Sequence, residues 1–394
     1  MDQSSLESLI LEARNREGGL ILNFEEKPAV VVMTIERYND LVQPTADAEF
    51  NEKVETTLIL EQYEYGGSNI NNKILITGGA GYVGAHTARE LLKSGYEVVI
   101  IDNLSTGKKQ NIPSGAKFIE GDISDLNLLR DVFATENIYA VMHFAASIEV
   151  EESVKEPEKY VQNNLLTTAI LLSVMSEAGV KKIIFSSTAA VYGQQEKMPI
   201  LETAKLSPEN PYGYSKLLAE RLIKYYSHFC GFKSIIFRYF NASGCDFDGG
   251  IASTHASHLI PLVLSVAIGD RSFVKVNGAD YNTHDGTAVR DYVHVLDIAR
   301  AHVLALEKLD EVENYSIYNI GTGRGSSVRE VINQTSEIVN KIIPMEMGPR
   351  RAGDSAVTVA DNKKIRKELG FELKFSDLGT IITTSWTQMQ KNRE

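Results

Sequence analysis

The stretch NPYGYSK, Asn210 to Lys216, places two tyrosines and a lysine within five residues. A phenol loses its proton near pH ~10, so at neutral pH it acts as a base only where something favours the phenolate. On a helix Tyr212 and Lys216 are four residues apart and share a face, whereas Tyr214 and Lys216 diverge. Tyr212 is therefore the candidate acid/base and Lys216 the cation beside it. Bringing the phenol from ~10 towards 7 takes about 4 kcal/mol of differential stabilisation. A second positive charge, such as an oxidised nicotinamide ring, would share that task. Thr188, which ends the run FSST, offers a hydroxyl to hold a substrate oxygen and relay the proton.

A second motif, TGGAGYVG, directly follows the apolar run KILIT and opens a helical pattern. Gly78, Gly81 and Gly84 recur every three residues, a spacing that lets backbone turn tightly and approach a pyrophosphate at a helix N-terminus. Asp102 closes the next apolar run, VVIID. A carboxylate there accepts hydrogen bonds from an adenosine ribose and repels a 2′-phosphate, so NAD is expected rather than NADP.

Elements must hold these residues in place. From Lys73 onward, KILIT, EVVII, KFIEGD, YAVMHFA and KKIIFSS read as strands separated by helical stretches. Strands apolar throughout that alternate with helices predict a parallel sheet buried on both faces. Pro211 suits the first turn of the helix that carries Tyr212. After about Asp246 the pattern is less regular, as a smaller α/β substrate region would be. Ahead of this, residues 4–16 have helical periodicity. LILNF and AVVVMT predict two strands around the turn EEKP, IERYNDLV a short helix, and Gln43 to about Gly67 a polar linker.

The chain has 394 residues, 43% hydrophobic and 23% charged, enough for two or three globular domains. No apolar run approaches the ~20 residues of a membrane span. The N-terminal stretch has no basic region and no small-residue cleavage site, so it is not expected to be a secretory signal. The two cysteines, Cys230 and Cys245, are expected to be reduced thiols of a cytoplasmic protein. Net charge is −12, of which residues 1–70, with 14 acidic and 5 basic side chains, hold −9. An acidic chain without a basic stripe is a poor nucleic-acid binder. The eight histidines show no ligand spacing such as H-E-x-x-H, so no metal site is expected.

Taken together, TGGAGYVGAHT, VIIDNLSTG, EGDISD, HFAASIEVEESV, FSSTAAVYG, NPYGYSK, RYFNASG, DYNTHDGTAVRDYVHV, YNIGTGRGSSV and PRRAGD resemble the extended short-chain dehydrogenase/reductase family, and within it the UDP-galactose 4-epimerases, from Lys73 to about Lys391. The glycine triplet and Tyr-x-x-x-Lys are common to the superfamily; DGTAVRDYVHV and PRRAGD are far more specific. The resemblance implies a Rossmann-type doubly wound sheet over residues 71–245 and a UDP-sugar-binding region over 246–394, part of 290–325 returning to the first. Residues 1–70 would be a small α+β extension and linker.

The resemblance also implies roles. Gly78, Gly81, Tyr82, Val83, Gly84, Asp102 and Asn103 would meet the dinucleotide, with Asp122 and Ile123 beside the adenine. Phe144, Ala145, Asn163, Ser186, Tyr212, Lys216 and Tyr239 would line the path to the nicotinamide. Thr188, Asn241, His258, Leu259, Arg290, Tyr292, Arg351, Asp354 and Thr358 would bind the UDP-hexose; the two arginines supply the fork-shaped donors a diphosphate needs. The implied reaction interconverts UDP-galactose and UDP-glucose by transient oxidation at C4, in a homodimer.

Departures are Ile148, where some members have a cofactor-contacting lysine, and Ala352, where glutamate is common. Thr358 is small where others carry tyrosine, which leaves room for N-acetylated UDP-hexosamines. A related nucleotide-sugar 4,6-dehydratase would need an added acid and base where this chain has Thr188-Ala189-Ala190. A non-catalytic NAD-binding regulator fits only if the N-terminal unit dominates. That unit faintly resembles Phd/YefM-type antitoxins, and the reading is a partner-binding or oligomerisation appendage.

Overall fold

The computed structural model describes residues 20–24, 27–32, 72–248, 250–251, 258–351, 354–391 and 393. The chain divides into two compact units, Met1–Glu64 and Tyr65–Glu394. In the first, β1 (Leu20–Phe24) and β2 (Lys27–Val32) form an antiparallel pair. β2 begins at Lys27, inside the predicted turn EEKP. The helices expected at 4–16 and 35–42, and the linker, lie outside the described residues.

The second unit alternates strands and helices in chain order: β3 (Lys73–Thr77), α1 (Tyr82–Lys93), β4 (Glu97–Asp102), β5 (Lys117–Glu120), α2 (Leu126–Thr135), β6 (Ile138–His143), α3 (Val150–Lys155), α4 (Pro157–Tyr160), a π-helical turn (Val161–Leu166), α5 (Thr167–Glu177), β7 (Lys182–Thr188), α6 (Pro211–Phe229) and β8 (Lys233–Tyr239). There follow β9 (Asn241–Ser243), α7 (Leu259–Ala267), β10 (Val274–Asn277), β11 (Val289–Arg290), β12 (Tyr292–His294), α8 (Val295–Lys308), β13 (Tyr315–Ile320), β14 (Ser326–Ser327), α9 (Val328–Val339), β15 (Met345–Gly348), β16 (Val357–Thr358), α10 (Lys363–Leu369) and α11 (Leu378–Lys391).

Seven strands make one parallel sheet in the order β13-β8-β7-β6-β3-β4-β5. Successive strand residues feed opposite cores. Ile74, Ile76, Val98 and Ile100 pack with α1 and α8, while Leu75, Val99 and Ile101 pack with α2, α5 and α6. Both faces are thus covered, which is what continuous apolar strands require. The order reverses at β3, with β4 on one side and β6 on the other, and such a switch point opens a crevice at the strands' C-terminal ends.

The region beyond β8 is built from short pairs: β9 beside β12, β11 between β14 and β16, and β10 beside β15. A separate apolar cluster joins α7, α9 and α11. β13, though late in the chain, completes the main sheet against β8. Among the described residues no helix is long and apolar enough to cross a membrane.

Candidate active site

The glycine loop sits at the switch point. Gly78 has φ +74, and a Cβ there would lie 2.6 Å from the Ala145 amide nitrogen. Phe144 and Ala145 both donate backbone N–H to the Thr77 carbonyl at 3.0 Å, which presses their backbone onto the loop. A Cβ on Gly84 would meet the Gly78 carbonyl at 2.3 Å. Gly81 caps α1 with no side-chain hydrogen bond. The helix therefore presents its first N–H groups and positive dipole end without a side-chain acceptor, the arrangement that receives a phosphate. Tyr82 donates its hydroxyl to the Gly244 carbonyl at 2.5 Å, and Val83 packs into the core.

Asp102 anchors this loop from β4. Its carboxylate accepts from the Ala80 and Leu104 amides, each at 2.9 Å. A carboxylate has about four acceptor positions, so room is left for ribose hydroxyls. Next door, Asp122 accepts from Asn103 and from the Ser124 amide, each at 2.7 Å. Burial works to raise the Asp122 carboxyl, but those hydrogen bonds hold it below its ordinary value. Ile123 is buried beside it. Tight glycines, an uncapped helix end and fixed carboxylates fit a dinucleotide.

The catalytic candidates converge on the C-terminal ends of β7 and β8. Asn210 caps α6, accepting from the Gly213 amide at 2.8 Å, and Pro211 opens the helix. This starts α6 so that Tyr212 lies in its first turn and Lys216 one turn on. Lys216 Nζ donates to the Ser186 carbonyl at 2.8 Å and stands 4.7 Å from the Phe185 ring centroid. Thr188 lies in register with Tyr239 on the neighbouring strand. Tyr239 contacts His302 Nε2 at 2.7 Å through its hydroxyl; His302 Nδ1 donates to the Ile298 carbonyl, so Tyr239 is the donor.

In the chain without cofactor, burial governs both groups. Burial pushes the Tyr212 phenol up to about 12; a hydrogen bond from Thr188 opposes the rise and the Glu149 carboxylate adds to it. Burial also pushes Lys216 down to about 7, against the pull of Glu220. A lysine so near neutrality lends the phenol only part of a charge. In the chain by itself desolvation and Glu149 outweigh the Thr188 hydrogen bond, which favours the protonated phenol.

Asn163 is exposed and reaches Ser147 at 3.0 Å. Its neighbour Asn164, which nothing in the sequence singled out, is buried. It accepts from the Ser147 amide and donates to the Ser147 carbonyl and Ser215 hydroxyl, at 2.8–2.9 Å, tying the π-helical turn to α6. Ile148 is half-buried, and Ala352 lies outside the described residues.

The substrate candidates form a second group. β11 and β16 place Arg290 beside Thr358, and β9 and β12 pair Asn241 with Tyr292. Arg290 donates to the Val289 and Ser355 carbonyls at 2.9 and 2.8 Å and lies 3.5 Å from Asp354. His258 caps α7 and Leu259 is its first residue. Tyr292 is buried in the apolar cluster under α7. Arg351 is exposed and pairs with Glu151 at 3.0 Å. It borders an open cleft of ≈ 720 Å³ that also displays Arg271, Lys275 and Arg350, cations the sequence reading passed over because no motif holds Arg271 or Lys275.

Residues 74–321 match the NAD dependent epimerase/dehydratase family. The chain belongs to that family. Within it, the chain is 44% identical over 323 residues to a UDP-glucose 4-epimerase of Lacticaseibacillus casei, a match covering 82% of this chain and 98% of that protein. A UDP-glucose 4-epimerase of Brucella ovis solved with NAD aligns at TM-score 0.78 and 43% identity, covering 80% of this chain and 98% of that one. A UDP-Glc/GlcNAc 4-epimerase of Campylobacter jejuni aligns at TM-score 0.73 and 41% identity, covering 81% and 99%. The family fold accounts for the seven-stranded sheet and for NAD as the cofactor of the switch-point crevice.

Proposed function

We propose that this protein interconverts UDP-galactose and UDP-glucose by transient oxidation at sugar C4. The observation that carries the reading is the convergence of Thr188, Tyr212 and Lys216 beside a glycine loop built for NAD. Gly78, Gly81, Asp102 and Asp122 hold the dinucleotide, and Ser186, Lys216 and Tyr239 line its reactive end. Bound NAD supplies a reversible hydride acceptor. Thr188 holds the sugar 4-oxygen, and Tyr212 takes the 4-hydroxyl proton and returns it when the keto sugar is reduced on its other face. Burial holds the Tyr212 phenol up at about 12 in the cofactor-free chain, so the positive charge of the oxidised nicotinamide joins Lys216 in favouring the phenolate. Proton removal is thereby coupled to the presence of oxidised cofactor.

On this reading residues 71–245 serve NAD and 246–394 the UDP-sugar, with β13 contributed back to the first. Arg290, Arg351 and the cationic cleft meet the diphosphate, with Asn241, His258, Leu259, Tyr292 and Asp354 around the nucleotide. Thr358 leaves space at sugar C2, so N-acetylated UDP-hexosamines are substrates too. A homodimer accords with the exposed apolar residues Tyr214, Leu218, Tyr225 and Phe229 on α6, and Val154, Val161 and Leu166 nearby. Purified protein mixed with UDP-galactose and no added NAD should form UDP-glucose by NMR. No conversion even with added NAD would refute the assignment.

A further inference from the structure

His86 lies in the second turn of α1 and is fully buried. Its Nδ1 is 2.8 Å from the Tyr82 carbonyl, so Nδ1 carries the proton and donates. Nε2 is then a bare lone pair, and among the described residues it has no hydrogen-bond partner. A buried acceptor left without a donor carries an uncompensated desolvation penalty. The atoms around it suggest what it is for. A ring nitrogen of His86, the Cys245 sulfur and an Asp246 carboxylate oxygen all lie within 4.8 Å of one another, and all three residues are buried; with Nδ1 spent on the Tyr82 carbonyl, Nε2 is the ring nitrogen free to bind.

The surroundings orient this set. Arg89 binds Asp246 Oδ2. The Gly250 amide donates to Asp246 Oδ1 at 2.8 Å. Cys245 points its sulfur at the Ile251 carbonyl, 2.9 Å away. Hydrogen bonds of this kind behind a carboxylate, and a backbone carbonyl fixing a histidine tautomer, are what support metal ligands in general. Imidazole nitrogen, thiolate sulfur and carboxylate oxygen form a donor set suited to a borderline-soft dication.

We propose that His86 Nε2, Cys245 Sγ and Asp246 bind a divalent cation of the zinc type. Binding exchanges the thiol proton for the metal: Cys-SH and M²⁺ give Cys-S-M and a proton released to solvent. Thiolate and carboxylate together neutralise the dication, while Arg89 keeps the outer carboxylate oxygen. With bonds of about 2.0–2.3 Å the ligand atoms of a tetrahedral centre stand roughly 3.5 Å apart, so the triad needs to close by no more than about 1.3 Å. The site revises the metal-free expectation, since its ligands come from α1 and from the segment after β9 and no sequence spacing announces them. Occupancy clamps the helix behind the glycine loop to Cys245 and Asp246, just after β9.

The test uses full-length protein stripped with chelator, then titrated with Zn²⁺ by calorimetry and with Co²⁺ by absorption. One metal per chain, a thiolate-to-cobalt charge-transfer band and a higher Tm with Zn²⁺ are expected. Cys245→Ala should abolish the band, and it and Asp246→Asn should each weaken binding about ten-fold or more. Cys230→Ala should leave both readouts unchanged. Should His86→Asn fail to fold, the Cys245 and Asp246 variants decide the matter. Absence of saturable one-to-one binding, or a band and affinity that survive Cys245→Ala, would overturn the proposal. These readouts do not depend on epimerase activity.

Discussion

Two cations are buried where α6 packs on the sheet, Lys216 at 2% and Arg238 at 1% exposure. Around Arg238 every nitrogen has an acceptor. Glu220 accepts from its Nε and Nη2 at 3.0 and 2.6 Å, and Tyr192 and the Glu202 carbonyl take Nη1. Burial works against that charge, but the Glu220 fork outweighs it and raises the guanidinium above its ordinary value. Lys216, one turn before Glu220 on α6, has a carbonyl and an aromatic ring but no hydrogen-bonded carboxylate, and burial wins, bringing it down to about 7. Equal burial thus yields a locked charge in one region and a movable one in the other. The movable one is next to the phenol that must exchange a proton, which is where a poised group is useful.

The comparison breaks most directly at Tyr212. Tyr212→Phe removes the proton carrier and leaves ring packing against Tyr160, 6.3 Å between centroids, in place. General acid/base catalysis contributes about 10²–10⁴-fold, so kcat should fall by that much with KM little changed. Conversion of UDP-galactose followed by NMR, alongside the NAD content of the purified variant, measures both. A loss below ten-fold would mean that the base lies elsewhere and that the Lys216 environment is only structural.

The locked region should respond in stability. Glu220→Gln leaves the Arg238 charge buried without its counter-charge, and breaking a buried pair costs about 3–5 kcal/mol. The Glu220→Leu, Arg238→Met double variant removes both charges and should recover most of that in urea unfolding. If the single variant costs no more than a surface change, the pair is not what holds α6 to β8.

How far these regions were legible in sequence follows the same division. Tyr212 and Lys216 stood out because helical spacing is local, and Asn210-Pro211 marks where the helix starts. Strands β3 to β7 were legible because each has an apolar middle, whereas β8 and β13, whose runs KSIIFRY and YSIYNI carry buried Arg238 and Asn319, were not read as strands. Glu220 and Arg238 were not legible as a pair, since their pairing depends on α6 crossing β8, and His86 with Cys245 depends on a still longer return of the chain. The burial that raises the Tyr212 phenol in the cofactor-free chain was not legible for a related reason: sequence shows which charges are near but not how much water is excluded. Arg351 sat in a specific motif, yet only the structure reveals Glu151 as its partner.

A pH series sharpens the contrast. Lys216 is lowered from 10.5 to about 7 in the folded chain. Below pH 7 it is charged in both states and its burial penalty is in full force. Between about 7 and 10.5 the unfolded chain binds more protons, so stability rises with pH and the penalty fades. The urea stability of NAD-free wild type relative to Lys216→Met should therefore increase from pH 7 to 10, by at most about 1.4 kcal/mol per unit. Arg238 stays charged throughout and should contribute no such slope. A flat difference would mean that Lys216 is not the poised cation.

The smallest effects are expected at the two substrate-side arginines, which repeat the contrast nearer the surface. The Arg290 side chain is 18% exposed and braced by two carbonyls, whereas that of Arg351 is 54% exposed and paired with a Glu151 side chain 68% exposed. Charges act more strongly where water is scarce, and lysine cannot reproduce a guanidinium fork. Arg290→Lys should raise KM for UDP-galactose about ten-fold, roughly the worth of one charge-assisted hydrogen bond. Arg351→Ala should raise it only a few-fold, by an amount that shrinks in about 0.5 M salt as exposed charges are screened. Its stability change should stay within about 1 kcal/mol, since an exposed ion pair contributes little. The reverse order of KM effects would mean that Arg351 leaves Glu151 and closes on the diphosphate when substrate binds, so that its exposure in the free chain understates its part in binding.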